Sequence, residues 1–458
     1  MDRRFEARKQ EILGEAQIKP EVAAGMLKRL EQFVEPFVDS LGRREARQNA
    51  RVYISGLLSD LERKNVESIA YRHDQDRRGL QRFIGLAPWS HQPLLEELAR
   101  QVGEQLGEAD GVIVFDPSAH PKCGRESVGV QRQWLGRLGK VDNGQVGVYM
   151  GYASRQEHAL VDVRLYLPKE WAKDKKRRKK CGVPKEIRYR TRHELALEML
   201  ATHGKYLPHE WIAGDDEMGR SSRFRRDLRG LDEPYLLDVP SNTNIRDLQA
   251  PPPAYGGRGR FPQQPFQRVD TWRDSLPKTA WTRIEVRDGE KGPLVLEMVK
   301  RRVLARTERR CPETEEELLV VTRSLDENGK MKYDYHLSNA SVDTPLAALA
   351  RVVKAEHRIE DCLKRAKSEA GLSDYEVRTW TGWYHHQVLS LIAAWFLLRE
   401  TRRGEKTDPG NHRSTDTYPV GYSVASGLRP PLSGLADALC ATKKRSPRAG
   451  SFSSLPAT

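Results

Sequence analysis

The order of strand-like and helix-like segments between Gly111 and Val239 leaves few folds open to this chain. The first three segments carry the β-branched and apolar residues of strands, and the last four alternate helix and strand. In chain order they cover residues 112–115, 145–153, 159–167, 193–200, 211–214, 221–228 and 235–239. Three consecutive strands form a meander, and the later alternation adds parallel strands to the same sheet. We therefore expect a mixed α/β sheet.

The residues on either side of this unit differ from it in character. Up to about residue 105, apolar residues recur at the three- and four-residue steps of a helix face. A Pro/Gly-rich stretch at 251–265 precedes further strand-like runs between 279 and 337. Helical spacing returns at 346–370 and 380–398. These patterns predict an all-α N-terminal part and a β-rich insertion before the last helices.

The charge balance narrows the class of partner. The chain has 78 Lys and Arg against 64 Asp and Glu, a net charge of +14. Such an excess favours a polyanionic partner, and nucleic acid before a membrane surface.

The longest mostly apolar run, 388–398, is far shorter than the ~20 residues that span a bilayer. The N-terminus lacks the apolar core of a secretion signal, and five dispersed cysteines favour reduced thiols. We expect a cytoplasmic protein with no membrane partner.

Three acidic residues stand where the predicted elements would bring them together. Asp116 ends the first strand, and Asp215 ends the fourth, with Asp216 directly after it. Glu360 lies on the helix that follows the predicted insertion. Three converging carboxylates supply the hard oxygen ligands that two Mg²⁺ ions need for phosphoryl transfer. Taken singly, each acid has the alternative role of a turn or cap residue.

Several strings of residues carry a more specific indication. They resemble the blocks around the catalytic acids of the IS701-type group of bacterial insertion-sequence transposases, which are DDE transposases with a ribonuclease H-like fold. The matching strings are 114–116, 127–133, 138–148, 167–171, 182–184, 213–219, 359–360, 367, 371–378 and 382–386. The resemblance implies a ribonuclease H-like mixed sheet with a β-rich insertion before the last catalytic helix, plus an N-terminal all-α domain.

The resemblance also implies which residues are catalytic. By their positions in the matching strings, Asp116, Asp215 and Glu360 form the metal-binding triad for two Mg²⁺ ions, for which Mn²⁺ can substitute. Asp216 stays open as the second carboxylate, because Met218 stands where this group usually has an aromatic residue.

A lysine and an arginine accompany the glutamate in the related IS4-like signature. Lys367, seven residues after the glutamate, satisfies the first position and is expected to hold a DNA phosphate. Seven residues are nearly two helical turns, so both side chains share one helix face. The arginine position, four residues before the glutamate, is Glu356 here, and Arg351 or Arg358 would have to replace it.

Two basic clusters are the candidate DNA contacts outside the triad. The first lies in the helical N-terminal part and is expected to face the terminal inverted repeats: Arg77, Arg78 and Arg82. The second belongs to the basic run 173–180 and suits phosphate contacts: Lys175, Lys176, Arg177 and Arg178. For both clusters the alternative is a solvated charged surface.

Aromatic and histidine residues give weaker indications. Trp272 and Trp281 could stack on a base at a cleaved DNA end, although packing is the interpretation that we favour for each. His385 and His386 are expected to have cap or packing roles. The sequence contains neither an H-E-x-x-H motif nor a G-x-x-x-x-G-K-[ST] loop, so no zinc protease and no ATP-driven step is indicated.

The resemblance predicts a cut-and-paste DNA transposase that cleaves double-stranded DNA at its inverted repeats and joins the 3′-OH ends to target DNA, acting as a homodimer at the bacterial nucleoid. We predict five regions: a helical DNA-binding domain 1–105, the first part of the catalytic core 106–240, the insertion 241–344, the second, helical part of the core 345–400 and a basic, disordered tail 401–458. The alternatives are a catalytically silent DNA-binding protein or repressor of the same fold and a structure-specific nuclease.

Overall fold

The computed structural model describes residues 25–136, 139–259, 261–289, 292–308, 315–326 and 328–407. Its α-helices are α1 (Met26–Val38), α2 (Arg44–Leu57), α3 (Val66–Arg72), α4 (Arg77–Gly85), α5 (Gln92–Leu106), α6 (Lys169–Lys173), α7 (Lys175–Lys180), α8 (Arg192–His203), α9 (Asp216–Arg220), α10 (Ser222–Gly230), α11 (Val269–Asp274), α12 (Leu346–Glu369) and α13 (Trp380–Thr407). Its strands are β1 (Val112–Pro121), β2 (Gln131–Leu135), β3 (Lys140–Ala153), β4 (His158–Leu165), β5 (Trp211–Gly214), β6 (Tyr235–Asp238), β7 (Asn244–Asp247), β8 (Gln267–Arg268), β9 (Thr282–Gly289), β10 (Gly292–Arg306), β11 (Glu316–Leu325) and β12 (Met331–Ser338). Within the described residues, no helix is both long and apolar enough to cross a bilayer.

These strands form one mixed sheet. Their order is β2-β3-β1-β5-β6-β12-β11-β10-β7-β8, with β4 beside β3 and β9 beside β10. Strand β3 is antiparallel to both β1 and β4, as in a meander. Strands β5 and β6 are parallel to β1 and to each other, because each is reached through a helical connection. The predicted mixed α/β sheet is confirmed.

The strand-rich part after residue 240 continues this sheet. Strand β12 pairs with β6, with Leu337 opposite Leu237, and the antiparallel strands β9 to β12 extend the sheet away from β1. A second apolar cluster covers this half, in which Val269 and Trp272 of α11 pack beside Leu319. Two apolar cores therefore serve a single sheet, and the strands of the predicted insertion are hydrogen-bonded to those that carry the acids.

Helix α13 joins the N-terminal helices to the sheet. It packs on β4 and also on α2 and α4, and nearly every residue in its middle part is buried. The rings of Phe396 and Phe33 have centroids 5.2 Å apart, and His386 Nδ1 lies 2.8 Å from the Tyr53 hydroxyl. His385 is buried as well, so both histidines have the predicted packing role. A helix that is apolar on all sides has to be covered on all sides.

The observed elements differ from the predicted ones mainly in length. Each strand and helix predicted between residues 112 and 239 is present, with most limits shifted by a few residues. Strand β2 was not predicted, because polar residues occupy most of its length. Helix α13 continues to Thr407, past the predicted boundary at residue 400. Residues 1–24 and the rest of the predicted tail lie outside the described residues.

Candidate active site

Acidic residues lie directly after the parallel-paired part of three neighbouring strands. Asp116 does not end its strand as predicted, because β1 continues to Pro121 through its antiparallel pairing with β3. The last residues that pair in parallel between β1, β5 and β6 share one register. The residues directly after them are all acidic: Asp116, Asp215 and Asp238. The C-terminal ends of parallel strands meet at one edge of a sheet. Strand pairing itself therefore sets these carboxylates side by side, and we call them the carboxylate row.

Helix α12 carries two further carboxylates over the row. It packs on β1, β3 and β5, and its residues Glu356 and Glu360 lie one turn apart on the same face. Glu360 is exposed, whereas Glu356 is buried. Glu360 interacts electrostatically with Asp116, and Glu356 does so with all three members of the row. The structure thus brings the three predicted acids together and adds two that were not predicted.

The crowding of carboxylates changes their proton affinity. Burial raises the pKa of Asp116 to about 6; the carboxylate of Glu360 adds to this rise, and the ammonium of Lys367 opposes it. Burial, followed by the charge of Asp116, raises the pKa of Asp215 well above its ordinary value. Burial and the surrounding carboxylates likewise raise the pKa of Glu356. The row therefore lacks compensating positive charge.

Lys367 supplies a positive charge at the edge of the row. It lies about two turns after Glu360 on α12, and its Nζ donates a hydrogen bond of 2.8 Å to Ser118 Oγ. Ser118 belongs to β1, two residues beyond Asp116. The ammonium of Lys367 therefore lies near the carboxylate row, and its contact with a DNA phosphate stays a prediction.

The chemistry of these side chains fits a hard divalent cation. Carboxylate oxygens are the preferred protein ligands of Mg²⁺ and Mn²⁺. Buried carboxylates with a raised pKa gain the most from a nearby positive charge. Among the described residues, however, no group of three or more His, Cys, Asp or Glu side chains is close enough together to hold a metal ion.

The two candidates for the second carboxylate have different surroundings. Asp215 is the N-cap of α9, and its Oδ1 accepts a hydrogen bond of 3.1 Å from the Met218 N–H. The side chain of Asp216 is 52% exposed and forms an ion pair of 2.8 Å with Arg220. The geometry favours Asp215, because it belongs to the carboxylate row and Asp216 belongs to the surface.

Comparison with known proteins agrees with this arrangement. A family model described as DDE superfamily endonuclease matches residues 36–293, more than half of the 458-residue chain. The chain belongs to the DDE superfamily. It is also 28% identical over 246 residues to the probable transposase for insertion sequence element IS701 of Microchaete diplosiphon. The alignment covers 52% of this chain and 59% of that relative, so less than two thirds of the relative is spanned. The resemblance carried by the sequence strings is confirmed.

Asp238 is a member of the carboxylate row that sequence reasoning missed in this member of the DDE superfamily. It lay inside the predicted strand 235–239, and no motif marked it. Its carboxylate accepts a hydrogen bond from Nδ1 of His336 on the adjacent strand β12. Only the register between β5 and β6 shows that it stands beside Asp215.

The arginine of the IS4-like signature has no replacement at the row. Arg351 forms an ion pair with Asp110, 3.3 Å away. Arg358 donates hydrogen bonds to two backbone carbonyls of the β3–β4 turn, at 2.6 and 2.8 Å. Neither guanidinium therefore takes the place that Glu356 occupies.

The predicted recognition arginines lie on the exposed face of α4. This helix buries Leu80 and Phe83 against the core, while Arg77, Arg78 and Arg82 are exposed. Four residues join α3 to α4, and the two helices pack together, as do the helices of a helix-turn-helix. The arrangement leaves these cations accessible to a DNA backbone.

The basic run around α7 divides into two pairs. Lys175 and Lys176 are exposed. The guanidinium of Arg177 lies 3.8 Å from the ring centroid of Trp171, and that of Arg178 donates to a backbone carbonyl 2.8 Å away. The two arginines hold this segment in place, and the two lysines are accessible cations, as are Lys179 and Lys180 at the end of the same helix.

Trp272 and Trp281 both pack against other residues, which is the role that we favoured for them. Trp272 is buried, and its Nε1 donates a hydrogen bond of 3.0 Å to Asp247. Trp281 is partly buried, with the guanidinium of Arg323 4.3 Å from its ring centroid. Trp134 on β2, which sequence reasoning passed over, is 60% exposed. Its exposure follows from the alternation along β2, which no motif marks.

Proposed function

We propose that this chain is a DNA transposase that cleaves double-stranded DNA at the inverted repeats of its element and joins the 3′-OH ends to target DNA. One observation carries the proposal: Asp116 and Asp215 directly follow the parallel-paired residues of β1 and β5, and α12, which packs on both strands, carries Glu360. Membership of the DDE superfamily and the likeness to an IS701 transposase support it. The ribonuclease H-like interpretation of the sheet, with an insertion before α12, belongs to the same proposal.

The three predicted acids and Lys367 would have different roles in the reaction. Asp116, Asp215 and Glu360 would hold two Mg²⁺ or Mn²⁺ ions, which when bound stabilise the attacking and leaving oxygens of an in-line phosphoryl displacement. Asp116 has to lose its proton for this role, since its pKa is raised to about 6. Lys367, anchored on Ser118, would hold the phosphate beside the reacting one.

The DNA itself would contact surfaces outside the row. The α4 arginines would bind the inverted repeats, and Lys175 and Lys176 would bind backbone phosphates nearer the sheet. Two ends have to be held together during strand transfer, so the active assembly would be a homodimer.

The decisive experiment is excision of a marked DNA segment bounded by the repeats that flank the coding region. Purified wild type should excise it with Mg²⁺ or Mn²⁺, and Glu360→Gln should lower the yield at least about a hundredfold. The matched control is Asp361→Asn, which removes the same charge from the next, exposed residue. Equal loss in both variants would contradict the assignment of Glu360.

One observation favours a second candidate, a catalytically silent DNA-binding protein or repressor. Glu356 places a buried carboxylate where the IS4-like signature has a cation, and so adds repulsion to the row. A silent protein would bind the flanking repeats and leave them uncut with either metal. The excision assay, run beside a binding assay on the same DNA, separates the two candidates.

A further inference from the structure

A cavity of 720 Å³ lies between helices α1, α5 and α13, and no member of the carboxylate row lines it. Its charged lining consists of four guanidiniums and one carboxylate, which leaves an excess of three positive charges: Arg29, Arg399, Arg402, Arg403 and Glu400. Cavities of ~300–1,000 Å³ are of the size that holds a small molecule. The balance of charge indicates an anionic ligand.

The carboxylate of Glu400 is already engaged by two of these guanidiniums. It is 4% exposed, and Arg29 contacts both of its oxygens, at 2.8 and 2.6 Å. Arg403 contacts it as well, at 3.2 Å. The one negative charge of the cavity is therefore shared: it pairs directly with Arg29 and Arg403, and it also acts on Arg399. One carboxylate cannot balance four guanidiniums.

Arg399 and Arg402 are the cations that face the cavity with weak contacts. Nη1 of Arg399 lies 3.4 Å from Gln101 Oε1, and Nη1 of Arg402 lies 3.4 Å from the Gln105 carbonyl. Both distances are at the long limit for a hydrogen bond. Burial lowers the pKa of Arg399; the carboxylate of Glu400 opposes this shift, and the charge of Arg402 adds to it. An anion between them would relieve this repulsion and accept bidentate hydrogen bonds.

The rest of the lining is apolar or amide. The rings of Phe33 and Phe396 are its apolar part, and the side chains of Gln32 and Gln105 add amide groups. The guanidinium of Arg399 lies 5.2 Å from the ring centroid of Phe33. The two rings are tilted by 49° to each other and are almost fully buried, so they offer a small apolar wall. The cavity thus combines an anion site with an apolar wall and hydrogen-bonding amides, which suit the phosphate, the sugar and the base edges of a nucleotide.

We propose that this cavity binds one nucleotide unit, with its phosphate on Arg399 and Arg402. Guanidiniums suit phosphate because their planar donors match its oxygens in pairs. The nucleotide has two possible sources with the same chemistry, a free mononucleotide or a nucleotide at the end of a DNA strand. The proposal does not depend on the cleavage reaction, since none of the catalytic acids takes part.

Binding is measured on the full chain in EDTA at about 150 mM salt, so that cleavage plays no part. The probes are dAMP, deoxyadenosine and a 5′-phosphorylated single-stranded octanucleotide, and the binding of each is measured by titration calorimetry. We expect dAMP or the octanucleotide to bind and deoxyadenosine to bind at least about tenfold more weakly. Binding of dAMP identifies a free nucleotide, and binding of the octanucleotide alone identifies a strand end.

The variants Arg399→Gln and Arg402→Gln should each weaken binding about tenfold or more, because each removes a charge-assisted contact to phosphate. The matched control is Arg100→Gln, on the exposed side of α5 and ion-paired to Glu97 and Glu104. Thermal melting identifies any variant that fails to fold, and Arg402, which is partly exposed, provides the safer of the two substitutions. Absence of binding by every probe, or equal weakening in Arg100→Gln, would overturn the proposal and leave the transposase assignment untouched.

Discussion

The side chain of Asp215 serves both a helix and the carboxylate row. One oxygen caps α9 by accepting the Met218 N–H, an interaction that by itself lowers the pKa of the carboxyl group. Burial and the neighbouring charge of Asp116 raise the pKa by more, so the net direction is upward. At this residue the cost of removing a charge from water exceeds the benefit of the cap.

The first prediction separates Asp215 from Asp216. We expect Asp215→Asn to abolish excision, because an amide keeps the cap but loses the charge that a divalent cation needs. Asp216→Asn should retain activity within about threefold, since its ion pair with Arg220 is exposed. The measurement is excision yield over time with Mg²⁺. Activity in the first variant together with loss in the second would reverse the assignment.

The second prediction concerns stability and pH. A carboxyl group with a higher pKa in the folded chain binds more protons when folded, so its contribution to the free energy of unfolding falls as pH rises. For Asp116 this fall spans the interval from 3.8 to about 6. Without divalent cations, we expect the free energy of unfolding of the wild type to fall by on the order of 2 kcal/mol over this pH interval. That of Asp116→Asn should fall by less. Urea unfolding in EDTA at several pH values tests this, and parallel profiles for the two proteins would contradict it.

At the scale of the element, α4 shows how one short helix serves two surfaces. Its apolar face packs on the core, and Thr379 Oγ1 donates a hydrogen bond of 3.0 Å to the Gly85 carbonyl at its end. Its other face presents arginines, of which Arg77 is paired with Glu67 at 2.9 Å. A helix held rigidly on one side can offer its cations in fixed positions, which favours contact with a regular backbone.

The third prediction tests this face. Arg78→Gln combined with Arg82→Gln should weaken binding to the flanking repeats and should lower the slope of log affinity against log salt by about two. Arg100→Gln, which removes an ion-paired arginine from α5, should leave that slope unchanged. Fluorescence anisotropy at four or five salt concentrations gives the slopes. An unchanged slope in the double variant would place the DNA elsewhere.

At the scale of the whole molecule, one apolar core unites parts that the sequence presents as separate. Trp383 of α13 is fully buried in a cluster that contains residues from α1 and α2 as well as from β3 and β4. Removing the N-terminal helices would expose the apolar face of α13 that they cover. The helical part and the sheet should therefore unfold together.

The fourth prediction follows from this shared core. Trp383→Ala should destabilise the protein by about 3–5 kcal/mol and should leave a single unfolding transition, because the cavity affects both parts. Leu231→Ala, at a residue that is 56% exposed, should change stability by less than ~0.5 kcal/mol. Calorimetry on both variants checks this. Two separate transitions, or a stable fragment that begins at residue 106, would show that the predicted boundary marks an independent domain.

The sequence by itself determined the order of the main elements between residues 112 and 239, and it proposed three acids for the site. Asp116 and Asp215 could be found because each ends an apolar run, and Glu360 because its neighbours match a known block. Local patterns suffice here, because the buried residues of a strand or a helix recur along the sequence with the period of that element. The mixed sheet and the family could be predicted from the same local sequence patterns.

Only the tertiary structure decided which other side chains join these acids. Asp238 and Glu356 enter the group through strand register and helix packing, and both depend on residues far away in the chain. The same holds for the cavity, where Arg29 meets Glu400 across 371 positions of sequence. Contacts between residues far apart in the chain produce no regular pattern in the sequence, because they depend on how distant elements pack together. They could therefore be found only in the tertiary structure.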